Sequence, residues 1–197
     1  DMANESALLS LAESLAQRLD NAWTADLRQR IGDVSFQAVG SGGLLADLGS
    51  QGAVLSVWPY RVTINEQMRN LSANDARRTP GLSNRPLSLD VHLLLSIWTS
   101  STATELAVFA WVLRELHREP ILDASTLSSN GGWSAEEVVQ LIPAEITVED
   151  MMRIWDAIAP GYRLSAPYVA RIVQLDVEEP EVLPGVAGRF DYGGVPA

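Results

Sequence analysis

Between Pro86 and Trp98 every second residue is apolar: Leu87, Leu89, Val91, Leu93, Leu95 and Ile97. A period of two is the mark of a strand laid with one face on a core. The run therefore predicts a sheet strand that carries Ser88, Asp90 and His92 together on its other face. A second strand is predicted over Ala53–Ile64, where Val54, Leu55, Val57, Trp58, Tyr60, Val62 and Ile64 are β-branched, aromatic or aliphatic. Pro59 cannot donate to a ladder, which places that part of the strand at an edge or a bulge.

The remaining elements follow from helical spacing and breakers. Leu8, Leu11, Leu15, Leu19, Trp23 and Leu27 recur at three and four, predicting one amphipathic helix over 5–30 that Gly32 stops. Glycines from Gly40 to Gly52 mark a loop between strands. Thr102 with Glu105 reads as a capping box before Leu106, Phe109, Ala110, Leu113 and Leu116, and Pro120 ends that helix. A loop around Asn130-Gly131-Gly132 precedes a strand-like segment, Val138 to Ile146. Thr147 and Asp150 cap a third helix through Met151, Ile154, Trp155 and Ile158, ended by Pro160-Gly161. Tyr168 to Val177 is strand-like with apolar residues at both parities, so both of its faces are expected to be covered.

After Val177 the character changes, with Pro180, Pro184 and Pro196 among glycines and Glu178, Glu179 and Glu181. Such a composition cannot bury a core. At 197 residues and 47% hydrophobic, the chain suits one domain. The order of elements predicts a single α+β domain over 1–177, a largely antiparallel sheet flanked by helices, followed by a flexible C-terminal arm over 178–197.

The chemistry available is narrow. All fourteen basic residues are arginine, so neither a Walker-A phosphate loop nor a Schiff-base amine can be built. No cysteine is present, which removes disulfides, thiolate nucleophiles and the usual structural zinc sites, and suits a reducing, cytoplasmic compartment. No membrane-length apolar window or signal-peptide layout is seen. Ser88, Asp90 and His92 invite a hydrolase reading, but same-face residues on a strand stand about 6.5 Å apart and no nucleophile elbow accompanies them. His92 and His117 share no metal-binding spacing. No catalytic residue, metal or cofactor is expected. Of six tryptophans, Trp133 in a loop is the one candidate for an outside contact.

Charge says more. The net charge of −11 argues against nucleic acid and anionic membranes as partners. Yet residues 61–85 hold Arg61, Arg69, Arg77, Arg78 and Arg85 against Glu66 and Asp75, a balance of +3 that leaves −14 for the rest. Arginine at every position suits bidentate pairing with carboxylates of a protein partner.

Three blocks carry a resemblance. They are Tyr60-Arg61-Val62-Thr63-Ile64-Asn65-Glu66-Gln67-Met68-Arg69-Asn70, Pro86-Leu87-Ser88-Leu89-Asp90-Val91-His92-Leu93-Leu94, and Ile154-Trp155 with Tyr162-Arg163-Leu164-Ser165-Ala166-Pro167-Tyr168. Together they resemble the cap, or tail-terminator, proteins of phage-tail-like contractile injection systems, with departures at Pro59, where the family prefers an aliphatic residue, and at Leu93, where it has tyrosine. The resemblance implies a structural subunit, without enzymatic activity, of a homo-hexameric ring on the end of the inner tube and sheath, assembled into a phage-tail-like particle inside the cell or released with it. The five arginines and the arm residues Phe190 and Tyr192 are then the expected assembly contacts. Two other readings stay open: a phage tail-completion or head-tail joining protein, and a small hydrolase using Asp90 and His92.

Overall fold

The computed structural model describes residues 3–45, 47–65, 86–158 and 161–175, apart from the side chains of Leu45 and Gln51. Arg69, Arg77, Arg78 and Arg85 of the connection over 65–86, and the whole arm with Phe190 and Tyr192, lie outside the described residues.

The predicted first helix is two. Helix α1 runs Ala7–Ala22 and α2 runs Ala25–Ile31. The break is chemical: Thr24 adopts extended backbone and its hydroxyl accepts from Leu27 N at 3.4 Å, starting a new helix. The stripe survives the break, with Leu11, Leu15, Leu19, Trp23 and Leu27 all buried. Serines on the same face have a second use. The Ser10 hydroxyl donates to Ser128 O at 3.1 Å and accepts from the Trp133 indole at 2.9 Å, while Ser14 Oγ accepts from Ser128 N at 2.8 Å. Trp133 therefore fastens its loop to α1 rather than serving as an outside contact.

Strand β1, Val34–Ala38, was not anticipated, because five residues between a glycine and a glycine-rich loop give too short a period to read. It pairs in parallel with the first five residues of β2, Ala53–Ile64. Two 3₁₀ turns, Ser41–Leu45 and Leu48–Gln51, join them. Gly49 is needed there, since a Cβ would stand 3.0 Å from the Trp98 carbonyl carbon.

The alternating run is β3, Leu87–Trp98. It pairs antiparallel with β2, with a register shift between Pro59 and Arg61, beyond the residues that β1 covers. Pro59 thus sits both at an edge and at a bulge. The sheet is completed by β4 (Ile121–Leu122), β5 (Val139–Pro143) and β6 (Ser165–Leu175), in the order β1-β2-β3-β6-β5-β4, antiparallel except for β1 with β2. Both faces of β6 hold buried residues, as its mixed parity predicts.

The far face of β3 departs from expectation. Leu89, Val91, Leu93, Leu95 and Ile97 do enter the main core, but Leu94 and Trp98 on the other face enter a second one with Leu44, Val54, Met151 and Trp155. Ser88 and Asp90 are buried and His92 half-buried, so this face is not a solvated polar row. Trp98 is accommodated there because its indole donates to Ser56 Oγ at 2.8 Å.

Helix α3, Thr102–Arg118, begins one residue earlier than the capping box suggested: Ser101 is the N-cap, accepting from Thr104 N at 3.3 Å. Its buried face is Val108, Trp111, Val112 and Leu116, whereas Leu106 and Leu113 point outward. The helix has apolar residues on two faces, and spacing alone could not say which meets the sheet. Trp111 selects the orientation by packing edge-on to Trp23 at 4.8 Å, with Phe36 at 5.9 Å. Helix α4, Val148–Asp156, is capped as predicted, Thr147 Oγ1 accepting from Asp150 N at 3.1 Å. The two helical layers are therefore unequal: α1 and α3 cover one face of the sheet, α4 the other.

Candidate assembly site

Arg61 stands on β2 just past the bulge, in register with His92 of β3. It lies on the rim of a cavity of about 700 Å³ between the sheet and α4, also lined by Tyr60, His92, Arg171, Ile142 and Ile154. Arg61 is exposed and makes no ion pair with the described residues. Its charge is felt nearby: burial, then Arg61, and then Arg171 against the opposing pull of Asp90, hold His92 below the ordinary imidazole value of 6.5. Burial raises the Tyr60 phenol above 10.0, partly offset by Arg61. At neutral pH the site is an uncharged imidazole and an intact phenol beside a guanidinium available to an outside carboxylate.

Asp90 and His92 make their hydrogen bonds to different partners. Asp90 falls at an irregularity in the β3–β6 pairing between Leu89 and Val91, and bulges redirect side chains. Its carboxylate accepts from Arg171 Nε at 3.0 Å and from Asn65 Nδ2 at 3.0 Å. His92 hydrogen-bonds instead through Nε2 with Thr63 Oγ1, at 3.2 Å. A histidine base needs a carboxylate to orient it and a nucleophile in reach. Here the carboxylate is committed elsewhere. His117 is exposed on the last turn of α3, and no group of three or more His, Cys, Asp or Glu that could hold a metal occurs among the described residues.

What the polar residues build is a clasp. Thr63–His92 and Asn65–Asp90–Arg171 tie the end of β2 to β3 and β6, at the point where the chain leaves for the arginine-rich connection. Thr63, Asn65 and Arg171 were not singled out from sequence, because their meaning depends on register across three strands. The first two resemblance blocks meet in this clasp. The third packs on β3 from the other end: Trp155 lies edge-on to Trp98 at 5.7 Å and to Tyr162 at 6.4 Å, and the Arg163 guanidinium sits over the Trp98 ring at 5.3 Å while reaching Asp47 at 3.6 Å. Of the predicted contact residues, the described part of the structure contains Arg61 alone.

Comparison with known proteins bears on this arrangement. No curated protein matches the sequence significantly. Among solved structures, the chain is similar to the PVC sheath/tube terminator of an extracellular contractile injection system in the extended state, with 14% identity, a TM-score of 0.52, and coverage of 100% of this chain and 66% of that one. It is also similar to the tube-terminating cap of the anti-feeding prophage, with 15% identity, a TM-score of 0.48, and coverage of 88% and 59%. The chain thus spans less than two thirds of the length of either. At 14% identity the likeness to the sheath/tube terminator is one of fold. Membership is carried by the family model for the Pvc16 N-terminal domain, which matches residues 9–187, all three resemblance blocks among them, and the chain belongs to that family.

Proposed function

We propose that this chain is a structural cap protein, a subunit of a closed ring, hexameric in our reading, that terminates the inner tube and sheath of a contractile injection system. The observation that supports this best is the family match over residues 9–187, joined to a fold shared along the whole chain with a sheath/tube terminator. The site geometry is compatible: the residues that looked catalytic are committed to a clasp, which stands where the chain enters an arginine-rich segment of the sequence. Arg61, Arg69, Arg77, Arg78 and Arg85 fix register with acidic surfaces of tube or sheath, a use of charge that governs specificity more than fold stability. Phe190 and Tyr192 anchor the arm on a neighbouring subunit or on the sheath, which bears the ordering entropy when it docks.

The test is imaging of particles from a strain that lacks the gene. Overlong or ragged tubes and unretained sheaths are expected. Particles of normal length with intact sheaths would remove the capping role.

A further inference from the structure

Helix α3 carries a second apolar stripe that no other described element buries. Leu106 and Leu113 are 56% and 37% exposed, and Ala103 and Ala110 extend the same stripe. A helix apolar on both sides belongs between two layers, and only one layer is present. Arg114 borders the stripe, is exposed, and its guanidinium has no ion-pair or hydrogen-bond partner among the described residues.

A second apolar surface lies across the sheet. At the outer side of α4, a groove of about 470 Å³ is formed by Ile146, Val148, Met152 and Tyr162. Val148, Met152 and Tyr162 are 75%, 42% and 48% exposed. Among the described residues, the one charged side chain lining the groove is Glu145, which is exposed and without a side-chain partner.

The two surfaces are back to back. Buried residues of α3 join the core that receives Leu95, and those of α4 join the core that receives Leu94, so the helices lie on opposite faces of the sheet. Neither surface can satisfy the other within one copy. An isologous dimer would cover one and leave the other in water. A head-to-tail contact covers both on every copy and closes into a ring when the rotation permits.

We propose that the outward stripe of α3, centred on Leu106 and Leu113, seats in the α4 groove of a second copy of this chain, with Arg114 facing Glu145 of that copy. This rests on the ring reading above and names the surfaces that build it. The apolar areas supply attraction, and Arg114 opposite Glu145 supplies polarity, since stripe against stripe would not bring Arg114 to that carboxylate.

The absence of native cysteine permits a direct test on particle-bound protein. A chain carrying both Leu113→Cys and Met152→Cys is expected, on mild oxidation, to form a covalent ladder beyond the dimer, whereas either substitution alone forms none. Covalent dimers from Leu113→Cys alone would show a symmetric contact and overturn the proposal. A ring visible on the particle tip without any ladder would overturn it while leaving the cap reading standing, and a single copy at the tip would end both. As an independent check, Arg114→Glu and Glu145→Arg should each lower retention on salt-washed particles about tenfold, and the two together should restore it. Failure of the combined variant, with thermal melting unchanged, would also count against the proposal.

Discussion

Leu94 and Leu95 are neighbours on β3, of the same residue type and both fully buried, yet they belong to different cores. Leu95 enters a continuous layer built by α1, α3 and the aromatic cluster of Trp23, Phe36 and Trp111. Leu94 enters a smaller patch closed by one nine-residue helix and by Leu44 and Leu48 of the two 3₁₀ turns. The difference teaches how the two faces divide their work: the thick face holds the fold together, and the thin face, with its cavity, clasp and groove, leaves surface for other molecules.

The largest effect should therefore be asymmetric. Leu95→Ala is expected to cost about 4 kcal/mol, because the rigid surround cannot collapse on the void, and Leu94→Ala about 2 kcal/mol, because α4 can settle toward the sheet. Denaturant unfolding decides this, and equal costs would abolish the distinction between the faces. Next is the clasp. Asp90→Ala removes the buried carboxylate that accepts from Arg171 and Asn65 and should cost about 1 to 3 kcal/mol. It should also speed tryptic cleavage after the arginines of the connection, which trypsin can attack without any competing lysine. Unchanged cleavage would mean that the clasp does not govern that segment.

A cap on the thin face gives a smaller signal. Thr147→Ala removes the hydroxyl that accepts from Asp150 N and should destabilise by about 1 kcal/mol, with tryptophan fluorescence near Trp155 changing before the global transition. The smallest effect is a pH dependence. His92 is held neutral in the fold, chiefly by burial and then by Arg61, so the unfolded chain takes up its proton at the higher pH. Its contribution is complete above about pH 6.5 and declines on acidification toward the depressed folded value. His92→Gln should flatten that part of the stability profile; a profile that keeps its slope would place the titration elsewhere.

How much of this was legible in the sequence varies with the kind of signal. The alternation of β3 and the proline bulge of β2 could be read because backbone geometry dictates them locally. The Thr147 cap could be read for the same reason. The face of α3 could not, since Leu106, Ala110 and Leu113 make as good a stripe as Val108, Trp111 and Val112, and only the packing of Trp111 on Trp23 chooses between them. The break before Thr24 was hidden because the apolar stripe continues through it. In the site, Arg61 was visible as a charge, but its setting was not. Thr63, Asn65 and Arg171 are ordinary polar residues until strand register brings them to His92 and Asp90.

The central claim is that identical copies of this domain close a ring on the end of a tube. A reconstruction of the particle tip without imposed symmetry tests it most directly. Six copies of this chain are expected in one closed ring, each placing the α3 side of its sheet against the α4 side of the next. A tip with a single copy, or a ring whose symmetry differs from that of the tube beneath it, would contradict it.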